Sequence, residues 1–198
     1  MRVIAGEFRS RRLKSLPGLN TRPTPDRLRE TLFNVLAPSI RDCVFMDVYA
    51  GTGSVGIEAL SRGARRCIFI ESGRAAVEVI RENLATLGLE SRAEVFTSKA
   101  AAVLERVRAD IAFLDPPYEL TTEYETAMTA LDHSETPQVI AQHSSHFTPR
   151  EAYGNLQRYR VIKQGDNALS FYRRISVNKI QQVNTEKTNT EITPPASQ

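Results

Sequence analysis

The chain has 198 residues, which fits one domain with short extensions. Hydrophobic residues make up 41% and charged residues 25% of the chain, values that disfavour a disordered or fibrous protein. No apolar run approaches the roughly 20 residues that span a bilayer, and residues 1–10 lack the apolar stretch of a secretory signal.

Cys43 and Cys67 are the only cysteines, and they do not form a CxxC pair. A disulfide framework and a zinc site are therefore not expected, and both cysteines are predicted to be small core residues of a cytoplasmic protein. His133, His143 and His146 show no metal-ligand spacing, so we expect loop or surface histidines and no bound metal.

The basic residues are concentrated near the N-terminus. The whole chain has a formal charge of +3. Residues 1–30 carry eight basic and three acidic side chains, a net +5, and the basic ones are Arg2, Arg9, Arg11, Arg12, Lys14, Arg22, Arg27 and Arg29. Such a block suits a phosphate backbone, although a solvated basic face is an equally good reading of composition alone.

Residues 1–40 are predicted to form a basic arm followed by a helix. Residues 2–6 and 11–14 could pair as a short hairpin, which ends at Pro17 and Gly18. Thr24, Pro25 and Asp26 then form a helix start, with Thr24 as the cap, and Pro38 ends the helix.

Residues 41–175 alternate strand and helix, which predicts a mostly parallel, Rossmann-like sheet of seven strands with helices on both faces. The predicted strands are 43–48, 66–71, 93–97, 111–114 and 138–142, and a final antiparallel pair follows at 156–163 and 168–173. The predicted helices are 55–61, 74–87, 99–107 and 123–131. Residues 176–198 are rich in Asn, Thr, Gln and Pro, and we expect this tail to be disordered.

A glycine turn follows the first strand of this region. Gly51, Gly53 and Gly56 satisfy the GxGxxG pattern of dinucleotide sites, in which a helix N-terminus faces a pyrophosphate. Asp47 beside the turn would oppose a pyrophosphate but suits S-adenosylmethionine, which carries an ammonium and a sulfonium. Glu71 ends the next strand and can bind ribose hydroxyls of either cofactor, so it does not discriminate between them.

The sequence Asp115-Pro116-Pro117-Tyr118 follows the fourth strand, at the edge of the sheet where such folds bind ligands. The prolines remove backbone donors and leave acceptors, namely the Asp115 carboxylate and free carbonyls. Two acceptors can hold the two N–H groups of an exocyclic base amine, and Tyr118 can stack on the base, which must be splayed out of the RNA to reach the site.

The chain resembles the RsmD family, the 16S rRNA (guanine-N2)-methyltransferases, over residues 2–174. The motifs that carry the resemblance lie at residues 2–6, 21–24, 26–27, 29–34, 47–56, 58–64, 115–118 and 168–173. The glycine turn and Asp-Pro-Pro-Tyr are widespread among methyltransferases, whereas their combination with Arg22-Pro23-Thr24 is more specific.

The resemblance implies a class I S-adenosylmethionine-dependent methyltransferase fold, with the assembling small ribosomal subunit as partner. The expected cofactor residues are Asp47, Ala50, Gly51, Gly53, Glu71, Ser98, Lys99 and Asp115. The expected catalytic residues are Asp115, Pro116 and Tyr118. The expected RNA-binding residues are Arg11, Arg12, Lys14, Arg22, Thr24, Arg27 and Tyr118. Lys99 stands where many related enzymes have an acid for the adenine amine, so Ser98 or a backbone group must accept that hydrogen bond.

The leading functional hypothesis is methylation of guanine N2 in small-subunit rRNA by a monomeric enzyme. Three alternatives stay open. Adenine-N6 methylation of RNA or DNA would use the same acceptors, a nicotinamide-dependent oxidoreductase would use the GxGxxG turn, and a non-catalytic RNA-binding factor would fit the departure at Lys99.

Overall fold

The computed structural model of the chain describes residues 1–16, 26–117 and 121–175. The helices are α1 (Asp26–Leu36), α2 (Ser54–Ser61), α3 (Arg74–Leu87) and α4 (Thr121–His133). The strands are β1 (Val44–Val48), β2 (Arg66–Glu71), β3 (Ala93–Thr97), β4 (Ile111–Leu114), β5 (Gln138–Ser144), β6 (Ala152–Tyr153), β7 (Leu156–Gln164) and β8 (Asn167–Arg174). Within the described ranges no helix is long and apolar enough to cross a membrane.

The strands form one sheet in the order β3-β2-β1-β4-β5-β8-β7-β6. The pairs from β3 to β5 are parallel, and β8, β7 and β6 add antiparallel pairs. The chain runs outward from β1 through β2 to β3 and then returns to β4 on the other side of β1. The β1–β4 boundary is therefore the switch point, where sheets of this kind bind ligands beyond the carboxyl ends of their strands.

Each face of the sheet carries its own apolar core because strand side chains alternate between faces. The core on one face packs under α1, α2 and α3 and includes Phe45, Phe69, Phe113 and Phe171. The core on the other face packs under α4 and includes Met46, Leu114 and Tyr172. Cys43 and Cys67 are buried and free, as predicted, and burial raises the pKa of the Cys43 thiol to about 11.

The N-terminal hairpin forms in a short version, with one antiparallel bridge between Arg2 and Arg12. Two buried polar side chains of α2 hold it to the domain. The Glu58 carboxylate accepts hydrogen bonds from the backbone N–H groups of Ile4 and Ala5 at 2.8 and 3.0 Å. The Ser61 hydroxyl donates to the Ala5 carbonyl at 2.6 Å. The arm is thus anchored at the C-terminal end of α2.

The structure confirms the predicted strand pattern and the α/β class but differs in two details. The sheet has an eighth strand, β6, which the sequence analysis did not predict. A strand of two residues is too short to show an alternating pattern in the sequence. The predicted helix 99–107 is wrong: only a 3₁₀ turn, Ala100–Ala102, forms there. The backbone N–H groups of Ala102, Val103 and Arg106 bond to carbonyls three residues earlier, so the segment forms tight turns instead of an α-helix. The predicted cap at Thr24 and the tail 176–198 lie outside the described residues.

Candidate active site

Four adjacent strands end at one edge of the sheet, and each carries predicted site residues at its carboxyl end. The glycine turn follows β1, Glu71 ends β2, Ser98 and Lys99 follow β3, and Asp115 follows β4. The order β3-β2-β1-β4 places these ends side by side. The structure therefore brings the predicted cofactor residues together in one row.

The glycine turn contains three residues in the left-handed region: Tyr49 at φ 63°, Gly51 at φ 54° and Gly53 at φ 78°. A Cβ built on Gly51 would meet no atom of the described part of the chain within 4 Å, so this part of the turn faces open space and a ligand can approach its backbone. A Cβ on Gly53 would lie 3.1 Å from Ile80 Cγ1. Gly53 therefore lies on the side of the turn that packs against Ile80 of α3.

The third glycine of the GxGxxG pattern has a packing role. A Cβ on Gly56 would lie 2.3 Å from Phe69 Cε1 and 2.7 Å from Cys67 Sγ, so only glycine lets α2 approach β2 this closely. The glycine spacing alone does not distinguish these roles, because the pattern is the same for a ligand-facing and a sheet-facing glycine.

Asp47 is buried, with 2% of its surface exposed, and its Oδ2 accepts a hydrogen bond from the Gly56 N–H at 2.8 Å. Burial raises the pKa of this carboxyl well above its ordinary value, and the nearby Asp115 and Glu71 raise it further. A backbone N–H in the first turn of α2 is thus already hydrogen-bonded to a carboxyl group of the protein. This arrangement disfavours a pyrophosphate there and favours a cationic ligand.

Glu71 organises the backbone around the turn. Its Oε2 accepts from the Gly51 N–H at 2.9 Å and its Oε1 accepts from the Gly73 N–H at 2.7 Å. A carboxylate has about four lone-pair sites, so each oxygen of this half-buried residue can accept one further hydrogen bond. Ribose hydroxyls are suitable donors.

Ser98 and Lys99 lie beyond β3, next to Glu71. The Ser98 N–H donates to the Glu71 carbonyl at 3.0 Å, which holds the loop against the end of β2. Ser98 is half-buried, whereas Lys99 is exposed and precedes the 3₁₀ turn with an extended backbone. Ser98 is therefore the more enclosed of the two residues at this edge.

Asp115 continues β4 past its last paired residue. Its N–H donates to the carbonyl of Val48, the last residue of β1, at 3.4 Å, which places it directly beside the glycine turn. Asp115 is half-buried, Pro116 is buried and Pro117 is exposed. Tyr118 lies outside the described residues.

Two contacts at this edge escaped the sequence analysis. The Tyr49 hydroxyl donates to Glu123 Oε2 at 2.6 Å, so the glycine turn is tied to the first turn of α4. Asn83 of α3 donates to the Thr52 carbonyl of the glycine turn at 3.2 Å and bonds both backbone groups of Lys14. Neither contact could be predicted from local sequence. Tyr49 and Glu123 lie 74 residues apart, and Asn83 and Thr52 lie 31 residues apart.

The prediction for His143 was wrong. His143 lies in β5 with 2% of its surface exposed, its Nε2 is 2.8 Å from Ser170 Oγ and its Nδ1 is 2.8 Å from the Ser144 carbonyl. Burial lowers its pKa. Its place in the sheet, not its local sequence, determines this environment. His133 and His146 are exposed, as predicted.

The basic arm runs from the end of α2 towards the glycine turn. Arg11 and Arg12 are exposed, and Lys14 pairs with Glu82 at 2.7 Å. Arg27 is exposed in the first turn of α1. Arg29 is fully buried and donates to the Arg2 carbonyl at 2.7 Å, so it does not contribute to the basic surface. Arg22 and Thr24 lie outside the described residues.

The donor set of this edge fits S-adenosylmethionine. Asp47, Glu71 and Asp115 are carboxyls grouped around a turn whose Gly51 faces open space, which suits a cation that carries ribose hydroxyls. In the described part of the chain, no group of three or more His, Cys, Asp or Glu side chains could hold a metal. The fold and this site define a class I S-adenosylmethionine-dependent methyltransferase.

The comparisons with known proteins agree. The family model described as conserved hypothetical protein 95 matches residues 1–173. A Bacillus subtilis protein named "Putative rRNA methyltransferase YlbH" is 33% identical over 183 residues, 88% of this chain and 99% of that protein. Ribosomal RNA small subunit methyltransferase D of Escherichia coli is 43% identical over 120 residues, which span 60% of either chain. A solved Escherichia coli structure described as "Putative methyltransferase yhhF" has a TM-score of 0.78 and 35% identity, covering 88% of this chain and 97% of that one.

The chain therefore belongs to the family of conserved hypothetical protein 95, the RsmD family whose motifs its sequence contains.

Proposed function

We propose that this methyltransferase modifies the exocyclic N2 of a guanine in small-subunit rRNA. The Escherichia coli relative is named for small-subunit rRNA methylation, and the Bacillus subtilis relative for rRNA methylation. The observation that carries the proposal is the hydrogen bond from the Asp115 N–H to the Val48 carbonyl. It supports the proposal because Asp115 then lies at the β1–β4 switch point, beside the glycine turn to which we assign the cofactor.

In the proposed site, Glu71 holds the cofactor ribose and the backbone at Gly51 lets the cofactor approach closely. The cationic cofactor favours the charged form of the Asp47 carboxyl, which burial otherwise disfavours. S-adenosylmethionine supplies an electrophilic methyl group on its sulfonium when bound. Asp115 accepts one N–H of the target amine and turns the nitrogen lone pair towards the cofactor side. The same carboxylate then accepts the proton that the amine loses. Tyr118 stacks on the base, and Ser98 or its backbone accepts from the cofactor adenine.

The exposed Arg11 and Arg12 bind RNA phosphates and so hold the RNA at this edge of the sheet. The arm is suited to this role because it runs from the end of α2 to the glycine turn. Lys14, Arg22, Thr24 and Arg27 extend that surface in the proposal. The enzyme acts as a cytoplasmic monomer on the assembling small subunit.

Methyl transfer to small ribosomal subunits, followed by nucleoside digestion and mass spectrometry, tests the proposal. Wild-type protein is expected to yield N2-methylguanosine, and Asp115→Asn is expected to lower the rate by about 10²- to 10⁴-fold. Glu90→Gln, an exposed acid near the end of α3, is the matched control and should have no effect. N6-methyladenosine as the product would refute the guanine assignment, and an unaffected Asp115→Asn variant would refute the role of the carboxylate.

A further inference from the structure

Gln142, near the end of β5, has a buried side chain with an unused hydrogen-bonding group. The residue is 3% exposed, and among residues 1–16, 26–117 and 121–175 its Oε1 has no hydrogen-bond partner. Buried polar atoms in proteins are paired in the great majority of cases, so an unpaired amide oxygen needs an explanation. An oxygen that accepts from a ligand is one such explanation.

The sheet register places Gln142 beside Asp115. Leu114 pairs with Ala141 across the parallel β4–β5 boundary, so Asp115 and Gln142 are the next residues along the two strands. Neighbouring strands lie about 4.8 Å apart. Gln142 is therefore the side chain adjacent to the proposed catalytic carboxylate on the β5 side.

Both side chains face the same side of the sheet. Phe113 and Ile140 pair with each other and belong to the core under α1, α2 and α3. Asp115 and Gln142 each lie two residues further on, so alternation returns them to that face. The proximity of Asp115 to Asp47, whose pKa it raises, agrees with this placement.

The backbone of Gln142 is held from both sides. Its carbonyl accepts a hydrogen bond from the Tyr124 hydroxyl of α4 at 2.7 Å, and it pairs with Leu169 of β8. At the other end of the strand, the Ser39 hydroxyl lies 3.5 Å from Gln138 Oε1, so α1 finishes at the amino end of β5.

We propose that Gln142 reads the target base by accepting a hydrogen bond from guanine N1–H while Asp115 holds the neighbouring N2 amine. This inference rests on the proposed function and deepens it. In guanine the N2 amine is flanked by two ring nitrogens, the acceptor N3 and the donor N1–H, and Gln142 would face the N1 side. In adenine the N1 atom next to the N6 amine is an acceptor, and it would face the Gln142 oxygen without a proton between them. A second acceptor next to Asp115 thus selects guanine over adenine.

The test uses base analogues at the position that wild-type protein methylates, introduced singly into small-subunit RNA. 2-Aminopurine keeps the 2-amino group but has no N1–H. 6-Thioguanine keeps N1–H and changes only position 6. We expect wild-type kcat/KM to fall by about 10- to 100-fold with 2-aminopurine, since a site built around a hydrogen bond rejects a base that lacks it, and to change little with 6-thioguanine.

Gln142→Leu removes the acceptor, and it is expected to methylate guanine and 2-aminopurine at similar rates. Gln142→Glu keeps an acceptor and should retain the preference for guanine. S-adenosylmethionine affinity, measured by calorimetry, should be unchanged in both variants. If Gln142→Leu does not fold, Gln142→Glu decides: loss of the preference in that variant overturns the proposal.

Equal discrimination by wild type and Gln142→Leu, with N2-methylguanosine as the product, would overturn the role of Gln142 and leave the proposed function standing. N6-methyladenosine as the wild-type product would instead overturn the proposed function itself.

Discussion

The side chain of Asn83 bonds both backbone groups of Lys14: Oδ1 accepts from the Lys14 N–H at 2.7 Å, and Nδ2 donates to its carbonyl at 3.2 Å. The same Nδ2 donates to the carbonyl of Thr52 in the glycine turn at 3.2 Å. Asn83 is buried, so one amide joins the basic arm to the glycine turn.

Replacing Asn83 with Leu is expected to weaken both RNA binding and cofactor binding. The change leaves backbone groups of Lys14 and Thr52 without partners, at about 1–3 kcal/mol for a buried group. RNA titration and calorimetry with S-adenosylmethionine measure the two affinities. Thr86→Ala, one turn away on the exposed side of α3, is the control. A lower melting temperature with both affinities unchanged would show that Asn83 is purely structural.

Asp47→Asn is expected to stabilise the protein at neutral pH while weakening S-adenosylmethionine binding. Asn keeps an acceptor for the Gly56 N–H but removes the desolvated charge. The folded-state pKa of Asp47 is raised, so wild-type protein loses stability as pH rises from the ordinary value of 3.8 towards the raised value.

The stability gain of Asp47→Asn over wild type should be complete above the folded-state pKa of Asp47 and should vanish as pH falls to 3.8. Denaturant unfolding across that range measures it, with Asp42→Asn on the surface as control. A difference between Asp47→Asn and wild type that does not depend on pH would contradict the raised pKa.

Two glycine substitutions should have opposite effects on folding and binding. Gly51→Ala places a methyl group in open space, so we expect a modest loss of stability from its positive φ, about 1–2 kcal/mol, and a clear loss of cofactor affinity. Gly56→Ala drives a methyl group into the Phe69 ring, so we expect destabilisation of about 1–3 kcal/mol or more.

Thermal unfolding and calorimetry separate the two glycine variants. Because a loss of 1 kcal/mol lowers Tm by about 2–4 °C in a chain of this size, both effects are measurable. Unchanged cofactor affinity in Gly51→Ala would argue against a ligand at this side of the turn.

Neutralising Arg11 and Arg12 should flatten the salt dependence of RNA binding. Each lost phosphate contact reduces the slope of log K against log salt by about 0.7–0.9. Lys14→Gln should have a smaller effect, since Lys14 is already paired with Glu82 at 2.7 Å. Arg66→Gln removes an exposed charge from the opposite end of β2 and is the control. An unchanged slope in the Arg11 and Arg12 variants would show that the arm does not contact phosphates.

The amino-acid sequence alone predicts the α/β class and the order of the strands, and it contains the motifs that identify the family. Strands such as β2 and β4 were predictable because they are continuous apolar runs, and α3 because its apolar residues recur at helical spacing and Gly88 ends it. These features depend only on residues that are close together in the chain, so the sequence is enough to predict them. The predicted helix 99–107 is wrong because the spacing of its apolar residues is also met by successive tight turns that bury the same side chains.

Which side chains meet follows from the folded chain. Gly51 faces open space whereas Gly56 packs against the sheet, His143 and Arg29 are buried, Asn83 bonds Lys14, and Leu114 and Ala141 pair just before Asp115 and Gln142. Each of these relationships depends on strand register and helix packing between distant segments. Contacts of that kind are set by the free energy of the whole fold, so no short stretch of sequence contains them.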